Sequence, residues 1–101
     1  MMENQSPTIT KNEFLRQFEM QTESGLLSLE YQEQARQVFL TRLNIPPHFE
    51  NQEFIDSFIK EILDGFDDSR ISVMPTSTEV AKFFRKNRRQ YKNLLPAGIS
   101  I

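Results

Sequence analysis

The side chains with the clearest chemical potential lie in one cationic segment near the end of the chain. The segment KFFRKNRRQYK, from Lys82 to Lys92, contains six of the twelve Lys and Arg residues, although the formal net charge of the chain is −2. Arg guanidinium groups form forked hydrogen bonds to carboxylates and phosphates, whereas Lys ammonium groups act as compact positive charges. The segment therefore predicts a surface that binds an anionic partner.

The two parts of the chain carry opposite net charges. Residues 1–68 contain five basic and thirteen acidic side chains, a net charge of −8, whereas residues 69–101 contain seven basic side chains and one acid, a net charge of +6. An imbalance of this size favours two interpretations. The cationic segment binds an anionic partner, or it docks on the acidic part of its own chain.

Catalytic and metal-binding motifs are absent from the sequence. The chain has no Cys and a single His, His48, so it lacks a catalytic thiol and the three or four Cys and His ligands of a zinc site. The acids Asp64, Asp67 and Asp68 do not follow the ligand spacing of a calcium-binding loop. We therefore predict a protein without enzymatic activity, catalytic residues, metal or cofactor.

The elements that must position the cationic segment are predicted to be helices. Thr10 and Glu13 have the spacing of a capping box, and this predicts a first helix from about Lys11 to Gln21. Apolar residues at helical spacing predict a second helix from about Ser28 to Leu43. The two prolines that follow in NIPPH cannot continue this helix.

Two further helices are predicted in the second half of the chain. The third has the clearest pattern, with apolar residues at i, i+1, i+4 and i+5 from Phe54 to Phe66. The fourth begins at a capping box formed by Thr76 and Glu79 and continues through the cationic segment to about Leu94. An extended piece near 71–73 is too short to predict a sheet.

These elements predict an all-α fold, a compact four-helix bundle or an orthogonal helical array. The predicted domain organisation is a disordered tail at 1–9, a single helical domain at 10–96 and a C-terminal tail at 97–101. On a wheel of the fourth helix, the cationic residues share one side, Arg88 lies at the edge of the apolar stripe and Phe83 lies outside it. The predicted partner-binding residues are Lys82, Phe83, Arg85, Lys86, Arg88, Arg89 and Lys92.

The same helix also fits a nucleic-acid-binding module. The segment TEVAKFFRKNRRQYKNLLPAGI resembles the excisionase-type, MerR-like helix-turn-helix segment in its E-V-A opening, its Arg-rich helix with a Tyr and its G-I ending. This resemblance implies a recognition helix that carries Arg88, Arg89 and Lys92. The family places a turn between its two helices, and KFFRKNRRQ has no Gly or Pro for such a turn, so we do not assign the chain to it.

The sequence thus favours a small, non-enzymatic adaptor or regulator that binds the acidic surface of a protein partner. Nucleic acid is the alternative partner, and a homodimer is left open. The chain lacks the roughly 20 consecutive apolar residues of a membrane-spanning helix, so we expect no membrane partner. The absence of Cys and of a secretory signal pattern predicts a cytoplasmic location.

Overall fold

The computed structural model describes residues 8–67 and 69–99 and contains one five-stranded sheet with the strand order β1-β2-β3-β4-β5. The first four strands form an antiparallel meander, and β5 pairs in parallel with β4. The elements are β1 (Thr10–Asn12), β2 (Gln17–Thr22), β3 (Gly25–Gln34), β4 (Gln37–Asn44), α1 (Gln52–Asp64), β5 (Ser72–Pro75), α2 (Thr78–Lys86) and α3 (Arg88–Tyr91), followed by a 3₁₀ turn (Lys92–Leu94).

The predicted all-α helical bundle is therefore wrong, because both helices predicted in the first half of the chain are strands. Buried Phe18 and Met20 alternate along β2 with the more exposed Glu19, which is the period of a strand and not of a helix. Phe18 lies opposite Leu29 of β3, and Met20 lies opposite Leu27. Residues directly opposite in an antiparallel pair share a face, so this hairpin places Phe18 and Met20 on the same buried face as Leu29 and Leu27.

The turns between these strands have local causes. Gly25, at the turn between β2 and β3, has φ = +133°, a conformation that L side chains rarely adopt. A Cβ there would also lie 3.4 Å from Cβ of Pro46. In the turn between β1 and β2, the side chain of Asn12 accepts a hydrogen bond from the backbone N–H of Leu15 at 2.9 Å. Thr10 and Glu13 therefore do not begin a helix as predicted, but belong to the β1–β2 hairpin.

The crossover through α1 places β5 beside β4. Parallel strands need such a crossover, and here Val38 pairs with Val73 and Leu40 pairs with Pro75. The helix predicted over this region is confirmed, with the Asn51 side chain accepting a hydrogen bond from the Phe54 N–H at the N-terminus of α1. Five apolar side chains of α1 are buried in the core: Ile55, Phe58, Ile59, Ile62 and Leu63.

The predicted fourth helix is shorter than expected. It begins one residue later, because Ser77 and not Thr76 is the N-cap of α2. Thr76 instead donates a side-chain hydrogen bond to the Leu40 carbonyl of β4 at 3.0 Å. The helix ends at Lys86, with Asn87 as its C-cap, so the prediction of one helix to about Leu94 is also wrong.

The predicted N-terminal tail lies mostly outside the described residues, although Ile9 is partly buried and packs against the core. Within the described residues, none of the helices has the length and apolar composition needed to cross a membrane.

Candidate partner-binding surface

Helix α2 divides its side chains between the core and solvent. Val80, Phe83 and Phe84 are buried, whereas Lys82 and Arg85 on the other side of the helix are exposed. This division follows from the 3.6-residue period, because apolar residues three and four positions apart lie on one face. The core therefore fixes the direction in which the cationic side chains point.

All six cationic residues of the segment are exposed, and we call them together the cationic face. The cationic face consists of Lys82, Arg85, Lys86, Arg88, Arg89 and Lys92. One ion pair of the cationic face joins Nζ of Lys86 to Oδ2 of Asp56 on α1 at 4.0 Å. Within residues 8–67 and 69–99, Lys82, Arg85, Arg89 and Lys92 form no ion pair.

The predicted binding residue Phe83 has a different environment from the cations. It is only 6% exposed, and its ring centroid lies 5.7 Å from that of Tyr91. The wheel placed Phe83 outside the main apolar stripe, but the core also extends to that flank of α2. Phe83 therefore lies on the buried side of α2, and the exposed cations lie on the other side.

The helix breaks at Asn87, and this break shapes the surface. Asn87 adopts φ = −123° and ψ = 36°, and its Nδ2 donates a hydrogen bond to the Phe83 carbonyl at 2.9 Å. Asn side chains compete in this way for backbone groups, and they therefore favour helix ends over helix interiors. The chain then turns into α3, and Tyr91 packs against both Phe83 and Phe84.

A surface depression of about 550 Å³ lies at this break, and we call it the junction depression. Its lining comes from the last turn of α2 and the whole of α3 except Tyr91, and it contains four cations, two amides and no acid. The lining residues are Arg85, Lys86, Asn87, Arg88, Arg89 and Gln90. Sequence reasoning did not identify Asn87 or the concave shape, although an Asn inside a predicted helix was the available signal.

A neighbouring depression between α1 and α2 has a mixed lining. It includes Lys82 and Arg85, but also the acids Asp56 and Glu79. The electrostatic character therefore changes along the cationic face, from mixed near the start of α2 to purely basic at the junction depression. The junction depression is therefore the one of these two whose lining contains no acid.

A hydrogen-bonded group anchors α3 to the end of α1. The Tyr91 hydroxyl donates to Oδ1 of Asp64 at 2.8 Å, and Nζ of Lys60 donates to Oδ2 of Asp64 at 2.9 Å. The hydrogen bond from Lys60 lowers the pKa of Asp64, with the Tyr91 hydrogen bond also contributing. Burial, followed by the hydrogen bond to Asp64, raises the pKa of Tyr91.

Other residues considered for chemistry lie apart from this surface. His48 is exposed in the connection between β4 and α1, with φ = 66°. Among the residues that the structure describes, no group of three or more His, Cys, Asp or Glu side chains could hold a metal ion. No protein-family model matches the chain, and no curated protein matches it significantly.

Proposed function

We propose that the chain is a non-enzymatic, cytoplasmic adaptor or regulator that docks on the acidic surface of a protein partner through the cationic face. One observation carries this proposal: the cationic face is exposed, and Lys82, Arg85, Arg89 and Lys92 form no ion pair within the described part of the chain. These four cations would gain Coulomb energy from the acidic surface of a partner.

The rigidity of the support strengthens this proposal. The cations project from helices whose other sides are held in the core by Phe84 and Tyr91, and Tyr91 is additionally bound to Asp64. A surface that is already ordered loses less conformational entropy on binding than a flexible tail would. Complementary charge also accelerates encounter and excludes cationic partners.

Nucleic acid is the second candidate partner, and the junction depression is the observation that favours it. Four cations and the amides of Asn87 and Gln90 surround this depression, and such groups bind phosphate oxygens. The flanking acids Asp56 and Glu79 disfavour nucleic acid as the partner, because they would repel a phosphate backbone that continued along α2. We therefore rank a protein partner first.

Fluorescence anisotropy can separate these two candidates. The labelled probes are a polyglutamate peptide, duplex DNA, single-stranded DNA and RNA, each measured at low and at physiological salt. We expect the polyglutamate peptide to bind, with an affinity that decreases as salt increases. The variant Arg85→Glu/Arg89→Glu should lose this binding.

The matched control is Arg36→Glu/Arg42→Glu, which makes the same charge change at two exposed residues of the β3–β4 hairpin. It should retain binding, because neither residue belongs to the cationic face. Equal loss in both variants would mean that net charge alone governs binding, and no binding of any probe at low salt would overturn the proposal. Binding of nucleic acid without binding of polyglutamate would establish the second candidate instead.

A further inference from the structure

We propose that the junction depression is a binding site for a phosphoryl group, carried by a phosphorylated side chain of the partner. This inference rests on the proposed function, because it identifies the chemistry of the partner that the cationic face would dock. It goes further by assigning one part of that face, at the end of α2, to one kind of anion.

The charge of the lining is the first argument. Arg85, Lys86, Arg88 and Arg89 surround the junction depression without an acid among them, whereas the neighbouring depression contains Asp56. Cations that line the same depression repel one another, and an anion bound there would reduce that repulsion. A phosphoryl group carries a charge of about −1.5 to −2 at neutral pH, compared with one negative charge on a carboxylate.

The number of donors is the second argument. Guanidinium groups present forked N–H donors, and a phosphoryl group offers three acceptor oxygens around one centre. Two of the guanidinium groups in the lining, those of Arg85 and Arg89, form no ion pair within the described residues, and the lining also includes the side-chain amide of Gln90. A carboxylate has only two oxygens, so it could use fewer of these donors at the same time.

The shape of the site is the third argument. The break at Asn87 allows cations from two helices to line one open depression of about 550 Å³. The hydrogen bond from Asn87 to the Phe83 carbonyl and the Lys86–Asp56 ion pair order two of the lining residues before binding. The site is therefore partly preorganised for a compact anion.

A protein-borne phosphate fits this surface better than nucleic acid does. A phosphate backbone continues beyond any single site, and on the α1 side it would meet Asp56 and Glu53, which line the neighbouring surface. A single phosphorylated side chain requires only the junction depression. Recognition of isolated phosphorylated residues by clusters of Arg is a recurrent binding mode.

The test uses three labelled peptides of one acidic sequence that carry Ser, phosphoserine or Glu at the central position. Anisotropy with the full chain should show the phosphoserine peptide binding about tenfold more tightly than the Ser peptide, the difference expected from one additional charge-assisted hydrogen bond. The Glu peptide should bind more weakly than the phosphoserine peptide. Duplex DNA is measured beside the peptides.

Two variants with equal loss of charge locate the site. Arg85→Gln/Arg89→Gln removes two guanidinium groups from the junction depression and should abolish the preference for phosphoserine. Lys82→Gln/Lys92→Gln removes two charges from the same cationic face outside the depression, so it should weaken all peptides by a similar factor and keep the preference. Circular dichroism of both variants checks that the fold is retained.

The outcomes distinguish this inference from the proposed function. If the Ser, Glu and phosphoserine peptides bind wild-type protein equally, the phosphoryl site is overturned and the acidic-surface proposal stands. If no peptide binds, both are overturned. If duplex DNA binds more tightly than the phosphoserine peptide, the depression serves a phosphate backbone and the inference is wrong.

Discussion

The hydroxyl group of Tyr91 in α3 donates a hydrogen bond to Oδ1 of Asp64, the last residue of α1, at a distance of 2.8 Å. Lys60 holds the other carboxylate oxygen at 2.9 Å. The Tyr91 contact connects the segment that carries Arg88 and Arg89 to the helix that crosses between β4 and β5, and the Lys60 contact lies within that helix. The position of the cationic face therefore depends on a residue far away in the sequence.

The Tyr91 hydroxyl should contribute measurably to stability. We expect Tyr91→Phe to lower the free energy of unfolding by about 1 kcal/mol, the usual net contribution of a hydrogen bond. The ring remains in place, so packing is retained. Urea denaturation followed by circular dichroism measures the change.

Tyr31→Phe is the matched control. Tyr31 is also buried, but its hydroxyl has no hydrogen-bond partner among the described residues. Its replacement should change the free energy of unfolding by less than about 0.5 kcal/mol. Equal effects of the two substitutions would contradict the contact between Tyr91 and Asp64.

The Asp64 carboxylate should make stability depend on pH in the acid range. Its pKa in the folded protein is lowered from the ordinary value of 3.8, so the folded state binds fewer protons there than the unfolded state. The resulting stabilisation is present above that value and is lost as the pH falls through the lower, folded-state pKa. Wild-type protein should therefore exceed Asp64→Asn in stability at neutral pH, and the difference should shrink toward about pH 3 and below.

Urea midpoints at several pH values test this dependence. Glu61→Gln serves as the control, because Glu61 is exposed on the same helix and forms no ion pair within the described residues. A difference between wild-type protein and Asp64→Asn that stayed constant from neutral to acid pH would show that the charge of Asp64 does not contribute.

The N-cap of α2 offers a local test of the structure. Ser77 is buried, its Oγ accepts a hydrogen bond from the Val80 N–H at 3.4 Å, and it donates to Oε1 of Glu79 at 3.0 Å. Ser77→Ala should cost about 1 kcal/mol of stability, as other N-cap replacements do. Thr78→Ala, at an exposed first-turn residue, should cost less than about 0.5 kcal/mol by the same thermal or urea measurement. Similar costs would place the cap at another residue.

Substitutions at Phe14 and Phe18 can distinguish the observed hairpin from the predicted helix. Four residues apart, they would share one face of a helix, but in the hairpin Phe14 is 93% exposed and Phe18 is buried against Tyr31 at a ring distance of 5.0 Å. Phe18→Ala should therefore lower the free energy of unfolding by about 3 to 5 kcal/mol. Phe14→Ala should change it by less than about 0.5 kcal/mol, and comparable losses at both positions would contradict the hairpin.

The cationic face should contribute little to stability. Because Arg85 and Arg89 form no ion pair in the described part of the chain, Arg85→Gln/Arg89→Gln should cost no more than about 1 kcal/mol, the interaction of cations with a helix C-terminus. A thermal unfolding scan with and without added salt measures this. A larger loss of stability in the variant, together with a similar loss in wild-type protein when salt is added, would mean that the cationic face docks on the acidic part of the chain.

The sequence predicted α1 correctly because its signal is local and long. Its apolar residues repeat at helical spacing over thirteen residues. The strands carried weaker signals. In β4 the apolar residues Val38 and Phe39 are consecutive, and such a short apolar run fits a helix or a strand until its pairing with β3 is known.

The cationic face was predictable in part. The wheel correctly indicated that Lys82, Arg85 and Lys86 point away from the core, because that part of the segment is helical. It could not indicate the break at Asn87, which depends on packing of Tyr91 against Phe83 and Phe84 as well as on the Asn side chain. The junction depression is a product of that tertiary contact.

The rate of folding should be governed by the single parallel pair of the sheet. The strands from β1 to β4 are joined by short turns, so their pairing requires the closure of short loops only. Val38 and Val73, in contrast, can meet only after α1 has crossed the sheet. Because closure entropy grows only with the logarithm of loop length, this step is costly but changes little when a few residues are inserted at 69–71.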